Sequence, residues 1–218
     1  MDGDTVIARI LKLEGVEWMS GFPANSLIDV AAREGIRPII CRQERAGVNM
    51  ADGFSRINKG DRIGVFCMQK GPGAENAFGG VAQAYADSVP VLIIPGGHAR
   101  SRLGVHPGFD AVDHYQGITK WSANVNMVER IPEMLRRAFT QMRHGRHGPV
   151  LLEIPGDVAG AEYPADVIDY SPAKERKSGA DPDDVRDLVK ALIAASRPVI
   201  NAGQAVTAMA PGGCWGAL

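Results

Sequence analysis

The sequence predicts an α/β fold: a parallel sheet with helices on both faces. Three observations lead there. Short apolar runs alternate with segments of helical period along the first 155 residues. No hairpin signal separates the runs, so successive strands need crossover connections. Some runs, such as 89–95, are apolar throughout, as strands covered on both faces are.

Residues 4–14 read as a helix, with Asp4 as cap, Val6, Ile7, Ile10, Leu11 and Leu13 as the apolar face, and Gly15 as the stop. A strand at 16–19 follows. The turn Gly21-Phe22-Pro23-Ala24-Asn25 leads, with Asn25 as N-cap, into a helix over 26–34 ended by Gly35. Next come a strand at 36–41 and a helix over 43–58, with Ala46, Met50, Phe54 and Ile57 on one face and Gly60 after it. A strand over 62–68 runs into the breaker cluster Lys70-Gly71-Pro72-Gly73-Ala74. The helix at 75–86 is rich in Ala and Gly, which fits a tightly packed or subunit-facing helix. After the strand at 89–95, residues 96–120 hold no clear period, and loops of that size are often functional. A short strand at 121–125, a helix over 129–143 and a strand at 150–154 complete the alternation.

From Pro155 to about Ala180 Pro, Asp, Lys, Arg and Gly dominate and no period persists. The expected organisation is a first domain over 1–160, a linker over 161–180, and the start of a second α/β domain over 181–218. There Asp181 caps a helix with Pro182 at its first position, and 197–203 reads as a strand with a glycine turn. One helix and one strand cannot bury a core of their own, so the second domain reads as truncated.

Composition narrows the function classes. Of the 218 residues 45% are apolar and the formal charge is −1, which offers nucleic acid or an anionic membrane surface nothing to hold. No apolar run reaches the roughly 20 residues that span a bilayer, and the acidic N-terminus is unlike a signal peptide. Cys41, Cys67 and Cys214 are odd in number and far apart; Cys41 and Cys67, in expected buried strands, read as small core residues in a reducing compartment, which for this chain is expected to be the cytoplasm.

Strand ends carry the chemistry. An acid, Glu44, follows one strand; Gly71, Pro72 and Gly73 follow the next, then Asn76; Gly96 and Gly97 follow the next. Taken alone, Glu44 is a first-turn acid favoured by the helix dipole. Together, an acid and two backbone-exposing turns on neighbouring strand ends build one crevice where open α/β sheets bind ligands.

These blocks, with Arg42-Gln43-Glu44, Met50-Ala51-Asp52-Gly53-Phe54, Ala84-Tyr85-Ala86-Asp87-Ser88-Val89-Pro90 and Gly148-Pro149-Val150, resemble the N-terminal pyrimidine-binding domain of thiamine diphosphate enzymes. The likeness is strongest to the acetolactate synthase and benzoylformate decarboxylase branch, and it extends over 4–206. It implies a 2-keto acid substrate and thiamine diphosphate bound by its pyrimidine end. It also implies that Glu44 hydrogen-bonds ring nitrogen N1′ and so promotes loss of the thiamine C2 proton. Pro23, Gly71, Pro72, Gly73 and Asn76 would shape the pocket. Gln69 stands where several members place a polar catalytic side chain, though a solvated strand-end glutamine explains it equally.

The resemblance places such active sites between subunits, which implies a homo-oligomer or a partner subunit carrying the diphosphate-binding domain. Mg²⁺ would be held only through that domain, because its Gly-Asp-Gly…Asn motif does not occur here. His98, His106 and His114 have no local metal-site spacing, and the arginines from Arg136 to Arg146 suit a helix C-terminus. Phe22-Pro23-Ala24-Asn25 replaces the acetolactate synthase pattern Tyr-Pro-Gly-Gly, and Gly96-Gly97-His98 replaces Gly-Gln-Val. Gly108-Phe109-Asp110-Ala111 stands where Phe-Gln-Glu is usual. Decarboxylation and carboligation therefore both stay open. The alternatives are one subunit of a two-chain keto-acid decarboxylase and a non-catalytic cofactor-binding or dimerisation module. The isolated chain is expected to be inactive.

Overall fold

Six short strands form the sheet; three of them, rich in apolar residues, are buried almost throughout, the two at the sheet edges are part-exposed, and helical segments return between strands over the sheet faces. They are β1 (Trp18–Gly21), β2 (Arg37–Ile40), β3 (Gly64–Met68), β4 (Val91–Gly97), β5 (Trp121–Asn124) and β6 (Val150–Pro155). In a computed structural model, which describes residues 1–174, 179–201 and 203, all adjacent strands pair in parallel, in the order β2-β1-β3-β4-β6-β5. The helices are α1 (Gly3–Leu13), α2 (Leu27–Arg33), α3 (Glu44–Ile57), α4 (Pro72–Ala86), α5 (Ala111–His114), α6 (Ile131–Arg143), α7 (Gly156–Ala159) and α8 (Pro182–Ala194). One core joins α1, α2, α6 and α7 to one sheet face through Ile7, Leu27, Leu135 and Val158. The other joins α3, α4 and α5 to the opposite face through Val48, Phe66, Ala77 and Tyr115. The parallel sheet covered on both faces is thus the observed fold.

Several details differ from the sequence reading, each for a packing reason. Helix α1 is capped by Asp2, whose Oδ1 accepts from the Thr5 N–H at 2.9 Å, and not by Asp4, which lies in the first turn and is buried. Gly3 permits this start, because a Cβ there would meet the Val158 carbonyl oxygen at 2.4 Å. Strand β1 begins two residues later than expected, where Trp18 comes level with Arg37. The residue at the N-cap of α2 is Ser26, without a side-chain bond, and Asn25 stands one place before it, its Oδ1 accepting from Leu27 N–H at 3.0 Å. The buried face of α3 is Glu44, Gly47, Val48, Ala51, Asp52 and Ser55, whereas Met50 and Ile57, expected on the apolar face, are exposed. Small residues win there because α3 lies close on the sheet: a Cβ on Gly64 would strike the Ala51 carbonyl oxygen at 2.1 Å. Helix α4 starts at Pro72, three residues before its expected start, since a proline at the first helical position loses no hydrogen bond. The 96–120 segment carries α5 and two 3₁₀ turns, Arg100–Arg102 and Gln116–Ile118. Buried Tyr115 fixes its end by donating to the Ala74 carbonyl at 2.5 Å.

The chain divides into two compact units, Met1–Glu175 and Arg176–Leu218. In the first, the stretch beyond 160, expected as a linker, is tied down as far as Ala173. Tyr163 N–H donates to the Met1 carbonyl at 2.8 Å. The Tyr170 hydroxyl and the Arg143 guanidinium both bond the enclosed carboxylate of Glu14. In the second unit, α8 has the expected cap, Asp181 Oδ1 accepting from Asp183 N–H at 2.8 Å, with Pro182 first in the helix. Residues 197–201, expected as strand, pair with no ladder partner among the described residues. Ala202, Gln204 and Cys214 lie outside the described residues.

Candidate functional site

Parallel pairing brings the predicted strand ends to one edge, with one change of order. Ile40, Gly21, Cys67 and Ile94 stand side by side across β2, β1, β3 and β4. The strand ends bearing Glu44 and Gly71 were expected to be neighbours; β1 lies between them and contributes Pro23. The chain steps from β1 outward to β2 and then back to β3 on β1's other side, so the turn at Pro23 and the turn at Gly71 flank a topological switch point. Crevices for ligands form at such points. Gly96 and Gly97 are the last residues of β4 and not a turn beyond it, paired with Ile154 and Pro155. Gly97 is bare because a Cβ would meet Glu153 Cγ at 3.0 Å.

Glu44 opens α3 directly after the β2 end and is 5% exposed. Its approach to the sheet depends on Gly47, where a Cβ would sit 2.3 Å from Phe66 Cε2 and 2.8 Å from Cys41 Sγ. Ser20 Oγ, buried on β1, donates to the Gly47 carbonyl at 2.7 Å and fixes the same turn. The Cys41 thiol donates to the Gly21 carbonyl at 3.2 Å. Burial pushes that thiol's pKa up, and the charge of Glu44 adds to the effect. No side chain among the described residues hydrogen-bonds the Glu44 carboxylate. Its oxygens are not among the fully buried unpartnered atoms of the described residues, so the side chain is packed along its length while the carboxylate stays open to a ligand.

The other predicted residues lie along the same sheet edge, at the ends of β1 and β3 and the start of α4, and Glu44 lines neither the cavity at Gln69 nor the groove at Gly71. Gly71 is buried at the N-cap of α4, Pro72 is exposed at its first position and Gly73 is buried at its second. Gly71 has φ +58, a conformation that favours glycine. Pro23 and Gln69 are exposed at the ends of β1 and β3, and Asn76 is exposed one turn into α4.

Sequence reasoning missed Asp4 and Lys70 as site residues. They line a cavity of about 290 Å³ with Ala24, Asn25, Gln69 and Gly96. Asn25 braces it, donating to the Met68 carbonyl at 2.9 Å and the Ile94 carbonyl at 3.3 Å. Burial pushes the Asp4 carboxyl up to about 6 against the pull of the Ser26 side chain. Lys70 stood in plain view beside Gly71, but the breaker cluster drew attention only to its glycines. Asp4 could not be found, because its enclosure depends on α7, far along the chain.

The histidines lie apart from any metal arrangement: no group of three potential metal-binding side chains forms among the described residues. His98 and His114 line an open groove with Pro72 and Phe109, on which the His114 ring stacks at 4.5 Å. The arginine run is structural. Arg136 covers the Tyr170 ring at 5.1 Å, Arg137 covers Trp121 at 4.7 Å, and Arg143 pairs with Glu14. No described helix is long and apolar enough to cross a membrane.

Residues 1–118 match the family described as "Thiamine pyrophosphate enzyme, N-terminal TPP binding domain". Among characterised relatives, the chain is 32% identical over 217 residues to the acetolactate synthase large subunit of Haemophilus influenzae, covering 93% of this chain and 37% of that protein. It is 32% identical to the Escherichia coli acetolactate synthase isozyme 3 large subunit, again over 93% and 37% of the two chains. It is 35% identical over 204 residues to the glyoxylate carboligase of Escherichia coli O157:H7, covering 90% and 34%. The chain therefore spans a little over a third of the length of the relatives it matches.

Proposed function

Because this chain belongs to the thiamine pyrophosphate enzymes, as their N-terminal TPP binding domain, we propose that it supplies the pyrimidine half of an active site for 2-keto acids. The observation that carries the reading is Glu44: an almost buried residue at the crevice edge of the sheet whose carboxylate bonds no side chain among the described residues. A ring nitrogen is the kind of partner it lacks, and the backbone at Gly71, with nothing within 4 Å of the place a Cβ would take, leaves room for a flat ring along the same sheet edge. The residues present therefore fit the cofactor's pyrimidine end. When bound, thiamine diphosphate supplies a carbon nucleophile able to add to a keto group.

The chain's own contribution is positional and acid–base. Glu44 holds or shares a proton at N1′, and the buried turn made by Gly47 and Ser20 fixes where that proton lies. Pro23 and Pro72 form stiff walls, Asn76 offers an amide at the rim, and Gln69 stands ready to bond the substrate. The diphosphate and its Mg²⁺ are assigned to a domain outside this chain. Met50 and Ile57, apolar and exposed on α3, fit coverage by another subunit. The relatives' names favour carboligation over simple decarboxylation.

In protein assembled with a diphosphate-binding domain, Glu44→Gln is expected to lower turnover about 100-fold or more with the urea midpoint unchanged. Turnover near that of the parent sinks the assignment of Glu44. The 218-residue chain by itself is expected to turn over no 2-keto acid.

A further inference from the structure

Beside the crevice, the cavity lined by Asp4, Asn25, Gln69 and Lys70 holds an ammonium, that of Lys70, which forms no ion pair among the described residues. Asp4 shares the cavity but makes no ion pair with it. The Gln69 amide also has no hydrogen-bond partner there. Asn25, by contrast, is spent: its amide bonds the Met68 and Ile94 carbonyls and its oxygen takes the Leu27 N–H. Ser26 also lines the cavity and bonds Asp4, so the polar side chains left without a partner are the Lys70 ammonium and the Gln69 amide, adjacent in sequence and far along the chain from the acid. The volume of about 290 Å³ is that of roughly ten waters in the liquid, room for a small organic acid.

We propose that Gln69 and Lys70 form a subsite for a second anionic group on the substrate, so that the preferred 2-keto acid carries a carboxylate or similar anion distant from its keto group. The substrate assignment rests on the function proposed above; the subsite itself rests only on residues of this chain. The cavity and the pyrimidine crevice share a wall, since Gln69 and Lys70 lead directly into Gly71, and Ala24 follows Pro23.

The choice of a distant anion follows from the direction of charge flow. A carboxylate lost as carbon dioxide gives up its charge in the transition state. An ammonium resting on it would stabilise the ground state more than the transition state and slow the reaction. An anion that passes through the reaction unchanged can be held by the same ammonium without that cost, so the contact raises affinity and leaves the chemical step alone.

The test uses the ¹⁵N-labelled 218-residue chain, titrated at constant ionic strength with 2-oxoglutarate and, separately, with 2-oxobutyrate, and followed by amide resonances. Shifts are expected at Asn25, Gln69, Lys70 and Gly96, with the dicarboxylate bound about five-fold more tightly, the scale of one partly exposed ion pair. Lys70 is exposed and bonds no described residue, so Lys70→Met should fold normally and bind the two acids equally. Equal binding by the parent overturns the subsite. So does a preference that survives in Lys70→Met, or shifts that arise away from the cavity. A separate titration with thiamine diphosphate, read at Glu44 and Gly47 and repeated on Glu44→Gln, tests the cofactor reading on its own, so the failure of either is told from the failure of the other.

Discussion

At Gly47 the position of the candidate acid depends on the absence of a single carbon. A Cβ there would overlap the buried Phe66 ring and the Cys41 sulfur at 2.3 and 2.8 Å. Gly47→Ala is therefore expected to cost about 1–3 kcal/mol through overpacking and to displace Glu44, one turn before it. Gly53, in the same helix, has nothing within 4 Å of the place its Cβ would take. Gly53→Ala should instead stabilise by about 0.5–1 kcal/mol, the ordinary helix preference for alanine. Urea midpoints of the two variants check this, and a shift of the same sign in both would contradict the close-approach argument. The contrast also shows what periodicity can read at this scale. A search for apolar residues every 3.6 positions finds Ala46, Met50, Phe54 and Ile57, because it weighs hydrophobicity alone. The face that meets the sheet was chosen for smallness, and Gly47, Ala51 and Ser55 carry little hydrophobic signal.

The last part of the first unit illustrates a different limit at the scale of elements. The stretch after α7 has no period and the composition of a linker, yet it closes over the C-terminal ends of α1 and α6. Glu14 is the anchor. Its side chain is fully enclosed and takes bonds from the Tyr170 hydroxyl, the Arg143 guanidinium and the Ala173 N–H, the last at 3.3 Å. Arg143 in turn donates to the Ala173 carbonyl at 2.9 Å. Removing the acid would leave Arg143, with only 14% of its side chain exposed, as an uncompensated charge. Glu14→Ala is accordingly expected to destabilise the unit by about 3–5 kcal/mol, and Tyr170→Phe by about 1.5–3 kcal/mol, the worth of one bond to a charged group. Urea unfolding of both variants measures the difference; an effect below that of Tyr170→Phe in Glu14→Ala would show that the segment is not held through Glu14. Such ties join residues more than 120 positions apart, which no local pattern in the chain announces. Elements with local causes were legible: the Asp181 cap, the Pro182 helix start, the buried cysteines of β2's end and β3.

For the whole molecule, strand–helix alternation was enough to predict parallel pairing, because each crossover has to lie over a sheet face. The lateral order was not, since the insertion of β1 between β2 and β3 is decided by how α2 and α3 cover opposite faces. Long-range packing of α7 on the start of α1 likewise encloses Asp4, and the enclosure has a consequence for stability against pH. Asp4 has an ordinary carboxyl pKa of 3.8 in the unfolded chain and about 6 in the folded one, raised by burial. Buried Glu153 is shifted in the same direction, again by desolvation, against a hydrogen bond from Asn124. In both cases the folded state binds the proton more tightly than the unfolded state does. Stability is then greatest where both states are protonated, declines as pH rises from about 3.8 to about 6, and carries the full cost of a buried charge above that. For Asp4 the cost is about 3 kcal/mol, at 1.36 kcal/mol for each pKa unit. Asp4→Asn keeps the shape and a bonding partner for Ser26 but has no proton to lose. The variant should gain on the parent steadily between pH 4 and pH 7 in urea-unfolding free energy, by as much as about 3 kcal/mol. A difference that stays flat across that range would mean that Asp4 is solvated in solution and that the cavity it shares with Lys70 is open to water at its base.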